Sequence, residues 1–483
     1  MNVTTVEPII KEIELSESFP ELFRHFSTSA NATLLDSGLD HQRLGQFSFI
    51  GIWPFQVLKT RGTKGWLISP EEDTIKQLAG DPFEILRQVM APFKLKPQRE
   101  IVPFTGGAIG YLAYDLGRHI EQLPSWATDD LQLPELYFAL NDLVLARDHT
   151  TGKNYLISSG FPETDPKHRL TRAHERLERL EETLVRPLNK SGSGATDKPS
   201  PPEESPASAI TSNFEHEEYL EVIQKTIEYI YAGDIFQANI SQRLETTLNT
   251  PPYDLYLKLR RKNPAPFAAY LNFDEVKVIS SSPERFLKLA GDWLETRPIK
   301  GTRPRGTTPA EDRRLRDELL NSAKDRAELA MIVDLERNDI GRVCRYGTVR
   351  VPEPQLLEEY ATVFHLVATV VGQLESGKDR IDLLRACFPG GSITGAPKVR
   401  AMEIIEELEP TRRSVYTGSI GYLAFTGDMD TNIVIRTMLV KSNRTYFQAG
   451  GGIIADSKPE DEFQETLDKA RALIEALDKE PLP

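Results

Sequence analysis

Cysteine is nearly absent. The 483-residue chain holds only Cys344 and Cys387, and they form no CxxC spacing. A disulfide framework is excluded, and a reduced, cytoplasmic setting fits. Long apolar runs are missing too: no uninterrupted stretch reaches the roughly 18 residues that a membrane-spanning helix needs. The N-terminus, "MNVTTVEPIIKEIELSES", lacks a basic segment followed by an apolar core, so no secretory signal is expected. Basic residues are in deficit, 58 Lys and Arg against 72 Asp and Glu, for a net charge of −14. A diffuse acidic excess argues against nucleic acid as the main partner. An anionic small substrate would need a locally inverted field, from clustered Arg or Lys, helix N-termini or a metal ion.

The length predicts two or three domains, or one large interlocked one. One boundary stands out. Residues 186–213, "RPLNKSGSGATDKPSPPEESPASAITSN", are rich in Pro, Ser and Gly and read as a linker or long exposed loop. Before it, Leu170, Ala173, Leu177, Leu180 and Leu184 recur at spacings of three and four, which predicts an amphipathic helix over 161–185. Residues 1–160 mix strand-like runs ("FSFIGIW", "GGAIGYLAYDL", "KNYLISS") with turn signals. Residues 214–475 alternate helical and strand-like segments. "HEEYLEVIQKTIEYIYAGD" predicts a helix ending near Gly233; "AAYLNFDEVKVISSS" and "YATVFHLVATVVGQL" read as strands. "SKPEDEFQETLDKARALIEAL" predicts a helix capped by Ser457, with Pro459 in its first turn and Glu460 at the capping-box position. The strands do not alternate strictly with helices, so an α+β fold is expected rather than a doubly wound sheet.

Two helical segments carry paired acids. Glu462 and Glu465 share a helix face beside Phe463, Leu467 and Ala470; Asp325 and Glu328 do the same beside Leu329, Ile332 and Val333. Such pairs also decorate solvated faces, but two helices so equipped could hold a hard divalent cation such as Mg2+. "AGGGIIADS" places Gly450, Gly451 and Gly452 after a strand, where backbone N–H groups could approach a carboxylate or the chain could simply bend. "FPGGSITGAPK" fails as a phosphate loop, because Ala396 follows Gly395 where that motif requires Lys; nucleotide hydrolysis is rejected. His365 lies in an apolar strand, where a histidine paired with backbone is the common case. Arg436, in "NIVIRTM", needs a carboxylate partner, from protein or substrate.

"ETRPIKGTRPRG" holds Lys300 among Arg297, Arg303 and Arg305. Nearby cations and burial both lower a lysine pKa, and the neutral amine is a nucleophile. "SSSPERF" offers Glu284, a carboxylate at a strand end and a candidate general acid.

In this order, "FQANISQR", "SSSPERF", "ETRPIKGTRPRG", "DRAELAMIVDLERNDIG", "FHLVATVVGQL", "FPGGSITGAPKVRAMEIIEELEP", "GSIGYLAFTGDMDTNIVIRT" and "AGGGIIADSKPEDEFQET" resemble the chorismate-utilising enzymes across residues 214–475. Residues 1–160 are similar to the N-terminal region of anthranilate synthase and aminodeoxychorismate synthase large subunits. The resemblance implies two facing antiparallel sheets with helices outside. It implies chorismate as substrate and Mg2+ at its ring carboxylate, with Glu328 and Glu465 as direct ligands and Asp325 and Glu462 holding metal-bound water. It further implies that Arg436 clamps the pyruvyl carboxylate near Tyr422, Gly451 and Gly452. Thr394 would meet the ring carboxylate, and Gln237, His365 and Lys398 would line the substrate site. Glu284 would protonate the departing C4 hydroxyl.

Two positions discriminate within the resemblance. Members that add water at C2 carry a lysine where this chain has Gln237, so isochorismate or salicylate formation is disfavoured. Members that aminate C2 directly, the anthranilate synthases, carry alanine at the "PIKGT" position. Lysine there marks the aminodeoxychorismate branch, which implies attack of Lys300 on C2 and of ammonia on C4. Anthranilate formation is the first alternative, and a non-catalytic subunit of the same fold the second. With no glutaminase motif in this sequence, ammonia is expected from a separate glutamine amidotransferase subunit. "ATLLDSG" resembles the tryptophan-binding element of such large subunits, implying a tryptophan site at Leu35, Asp36 and Ser37; a plain strand end is the alternative.

Overall fold

Residues 5–39, 43–185, 209–360 and 363–479 are described by the computed structural model of the chain. They form two antiparallel sheets of twelve strands each. The first runs from Ile9–Ile13 at one edge, through Ala32–Asp36 and Phe267–Asn272, to Arg444–Ile453 and Gln237–Thr247 near the other. The second runs from Ile299–Pro304 and Val363–Gln373, through Ser419–Ala424 and Gly107–Leu112, to Thr74–Ala79.

The sheets face each other. Phe49, Ala269 and Val278 of the first pack in one cluster with Val57, Ile109 and Tyr422 of the second. Outside the first sheet lie helices Pro166–Val185, Pro252–Lys262 and Pro459–Ala476; outside the second lie Pro82–Met90, Ala323–Gly341 and Arg380–Cys387. With both faces covered, strands such as Leu136–Asn141 are buried at every residue, so they read as unbroken apolar runs. This is the expected α+β fold.

Each sheet is shared by the segments on either side of residues 186–213. Ala32–Asp36 pairs with Phe267–Asn272, and Gly107–Leu112 pairs with Ser419–Ala424. Strands that would otherwise be bare edges thereby complete their hydrogen bonding.

Several local expectations are refined. "AAYLNFDEVKVISSS" is a hairpin of Phe267–Asn272 and Lys277–Ser282 rather than one strand. The predicted helix over 161–185 begins at Pro166; Ala173, Leu177 and Leu180 are buried, but Leu170 is 50% exposed. Residues 186–208 of the expected linker lie outside the described residues. Its last part is not linker: Ile210 is buried and Thr211–Ser212 pairs with Gln237–Thr247. Gly233 ends helix His216–Ala232 in the left-handed conformation, as expected. The final helix is capped by Lys458, not Ser457, whose hydroxyl donates to Glu462 instead. No helix among the described residues is long and apolar enough to cross a membrane.

Candidate active site

The site forms where the edge strand Ile299–Pro304 of the second sheet meets strand Arg444–Ile453 of the first. Asn239 is opposite Gly452 and Ile240 opposite Gly451, so Gln237 is delivered to the glycine run. A β-carbon on Gly452 would overlap Gln237 Nε2 and lie 3.4 Å from Lys300 Nζ; one on Gly451 would sit 2.9 Å from Glu462 Oε2. A side chain at either position would push aside the flexible groups that converge here, so glycine keeps them together. Gln237 is wholly buried, and neither atom of its amide has a hydrogen-bond partner among the described residues. Such a group is costly unless water or a ligand completes it.

The acids converge from two helices that cover different sheets. Ser322 caps Ala323–Gly341 through the Asp325 N–H. Burial raises the Glu328 pKa; Asp325 and Glu465 add to the rise, while Lys300 and Lys324 oppose it. Burial also raises Glu462, against the 2.6 Å hydrogen bond from Ser457. At Glu465 burial is outweighed by Lys469, 2.5 Å away, and the carboxyl falls below its usual range. Asp325 accepts from Arg303 at 3.2 Å.

The Lys300 amine lies in a partly buried setting, donating weakly to the Ser392 carbonyl at 3.4 Å. Burial lowers its pKa; Lys469 lowers it further, against Glu328, Glu284 and Glu465. The flanking arginines are not the cause. Arg297 pairs with Glu358, Arg303 with Glu318 and Asp325, and Arg305 with Asp312. Glu284 is buried and raised to about 7 by desolvation, against the Ser392 hydroxyl bond of 2.7 Å and the Lys300 charge. A carboxyl near 7 is poised for acid–base work at neutral pH.

Arg436 is half-buried at a positive φ of 52°, and its guanidinium donates to the Lys469 carbonyl. No carboxylate among the described residues comes within ion-pair distance of it. The expected protein carboxylate is thus not found there, and a backbone carbonyl takes its place. His365 is buried, exchanges a 2.9 Å hydrogen bond with the Thr302 hydroxyl rather than backbone, and is pushed down to about 4 by burial and Arg436.

A sequence model of chorismate-binding enzymes matches residues 51–475. The chain belongs to the chorismate-binding enzyme family. The enzyme is 39% identical over 464 residues to aminodeoxychorismate synthase component 1 of Bacillus subtilis, covering 96% of this chain and 95% of that one. It is 41% identical over 472 residues to anthranilate synthase component 1 of Thermus thermophilus, covering 98% and 95%. The crystal structure of anthranilate synthase component I from Streptococcus pneumoniae superposes with a TM-score of 0.75 at 30% identity, covering 90% and 93%. Relatives at this level include both aminodeoxychorismate synthases and anthranilate synthases.

Three expected site residues sit differently in this enzyme. Tyr422 packs in the intersheet core, its ring 4.7 Å from Phe104 and 5.6 Å from Phe49, because alternate residues of Ser419–Ala424 face that core. Tyr416 is the tyrosine that interacts with Arg436. Lys398 is committed to Asp339 and to the Cys387 carbonyl at 2.9 Å. The Thr394 hydroxyl donates to the Gly390 carbonyl at 2.9 Å, so toward any ligand it has only acceptor capacity left. Leu35, Asp36 and Ser37 line a cavity of about 270 Å3 between the sheets, with Phe49, Phe267 and Tyr422. The Asp36 carboxylate there is held by Arg260 and by Tyr256 at 2.7 Å.

Sequence reasoning missed Tyr416, Ser392 and Lys469. Lys469 was discoverable, one helical turn beyond Glu465. Ser392 and Tyr416 carried no local signal.

Proposed function

We propose that this chain is the large subunit of an aminodeoxychorismate synthase, converting chorismate and ammonia to 4-amino-4-deoxychorismate. The observation that carries the reading is Lys300: an amine whose pKa is lowered by burial, beside an acid poised near 7. Direct amination at C2 has no use for that amine, which is why the reading favours this branch over anthranilate formation.

Arg436, with Tyr416 beside it, receives the pyruvyl carboxylate, and a guanidinium without a carboxylate partner among the described residues supports that role. Gln237 and the backbone of Gly451 and Gly452 close around the substrate; Thr394 and His365, neutral at pH 7, complete the wall. The neutral Lys300 amine bonds to C2. The ring double bonds shift by one place each, and the C4–O bond breaks. Glu284 gives its proton to the departing hydroxyl, releasing water and leaving a carboxylate. Ammonia then bonds to C4, the double bonds shift back, and the C2–N bond breaks to free the Lys300 amine. The new C4 ammonium returns a proton to Glu284. One difficult substitution becomes two easier ones.

The donor set suits Mg2+: carboxylate oxygens from Glu328 and Glu465, with Asp325 and Glu462 behind them. Among the described residues no three acidic, His or Cys side chains form a ready cage. Mg2+ would need only one or two protein carboxylates, with water and substrate completing its shell. When bound it supplies positive charge for the ring carboxylate in an otherwise acidic protein.

The relatives named component 1 imply a second component, and we place a glutamine amidotransferase subunit as the ammonia source. Tryptophan is proposed for the cavity at Leu35, Asp36 and Ser37. The deciding experiment incubates the protein with chorismate, ammonium and Mg2+ and identifies the product. A product that becomes 4-aminobenzoate only after aminodeoxychorismate lyase is added supports the reading. Direct release of fluorescent anthranilate overturns it in favour of the other branch.

A further inference from the structure

The acid and the amine of the proposed mechanism are joined by one residue remote from both in sequence. The buried Ser392 hydroxyl donates to Glu284 Oε1 at 2.7 Å, and the Ser392 carbonyl accepts from Lys300 Nζ at 3.4 Å. We propose that Ser392 is a positioning residue that holds the Glu284 acid and the Lys300 amine in register for the first substitution.

The loop that carries Ser392 is anchored on every side. Arg413 donates to the Ile393 carbonyl at 2.9 Å, and Asn239 N–H donates to the Thr394 carbonyl at 2.8 Å. Arg413 is itself buried and paired with Glu409 at 2.7 Å. β-carbons on Gly390 and Gly391 would come within 2.7 Å of Ile433 and Leu335, so the loop is packed against both. A backbone held this firmly gives the Ser392 hydroxyl a fixed base from which to meet Glu284.

The contact also strengthens as the reaction proceeds. When Glu284 loses its proton it becomes a buried carboxylate, and a hydroxyl donor to a charged oxygen is roughly twice as strong as one to a neutral oxygen. Ser392 therefore favours the state that follows proton transfer, in a geometry fixed beforehand. The role rests on the proposed parts of Glu284 and Lys300.

The test is a double-mutant cycle read by chorismate consumption with ammonium and Mg2+, over hours at high enzyme concentration. Ser392→Ala should lower kcat by about 10- to 100-fold, with KM changed by less than about twofold. Ser392→Thr, which keeps the hydroxyl, should restore most of the rate. In a Glu284→Gln background, Ser392→Ala should change kcat by less than about twofold, because the group it serves is gone. Equal losses in both backgrounds, full activity of Ser392→Ala, or a loss carried by KM overturns the proposal. If Ser392→Ala does not fold, Ser392→Cys carries the same comparison. Because the assay reads chorismate whichever amine forms, the wrong product overturns the proposed function and the Lys300 half of this role, and leaves the positioning of Glu284 by Ser392 standing. Full activity of Glu284→Gln overturns both.

Discussion

Gly451 lies against Glu462: a β-carbon there would sit 2.9 Å from Glu462 Oε2 and 3.4 Å from Glu465 Oε1. The glycine run and the acids of the last helix are thus one unit, and space at Gly451 sets where the carboxylates stand. Gly451→Ala is expected to fold and to raise the Mg2+ concentration for half-maximal activity by about 10- to 100-fold, the usual effect of disturbing groups behind metal ligands. Glu462→Gln should do the same. Titrating Mg2+ into EDTA-treated enzyme measures both, and an unchanged requirement would remove these acids from metal binding.

Lys300→Ala is expected to abolish 4-amination, by about a thousandfold or more, while chorismate binding persists through Arg436 and Gln237. Rapid quench of wild-type enzyme with chorismate and Mg2+, without ammonia, should trap a protein mass increase at the peptide containing Lys300. Unimpaired 4-amination in the variant would take the lysine out of the mechanism.

Glu284 should titrate near pH 7. Its pKa is raised by burial to about 7, so the group is protonated below that value and charged above it. Difference infrared spectra of wild type against Glu284→Gln should contain a protonated-carboxyl band at pH 6 that is lost by pH 8. The rate profile should be bell-shaped, and Glu284→Gln should erase the inflection near 7. A band that titrates near 4 would show an ordinary carboxyl, unfit for the acid role.

Glu336 gives a stability prediction of definite sign. It is buried, accepts from Thr296 Oγ1 at 2.9 Å, and is pushed up to about 8, mainly by desolvation. A folded pKa above the unfolded one means a stabilising contribution present below about 4.5 that is lost as pH rises through 8. Glu336→Gln keeps an acceptor for Thr296 and removes the charge. Its melting temperature should therefore gain on wild type as pH goes from 6 to 9. A difference that is constant with pH would contradict the buried, proton-holding state.

Much of this protein was legible because it depends on short-range periodicity. Acids three apart on Ala323–Gly341 and Pro459–Ala476 must share a face, whatever the helices pack against. The strands read as apolar or β-branched runs because both sheets are covered on both faces. The motif order from "FQANISQR" to "AGGGIIADS" marked the chorismate-binding family before any geometry was known.

Tertiary structure decided the rest, since charge and burial are summed over groups remote in sequence. Arg297, Arg303 and Arg305 looked like the cause of a lowered Lys300 pKa, yet partners up to 61 residues away in sequence neutralise them. The cation that acts on Lys300 is Lys469, brought in by the last helix. Tyr422 was the tyrosine expected at Arg436, but the turn into Ser419–Ala424 sends it into the intersheet core and leaves Tyr416 to interact with Arg436. The sequence alone determined which chemical groups are present and how they are spaced along each element. The fold determined which of them meet, because pairing the two halves of the chain into shared sheets is what sets those distances.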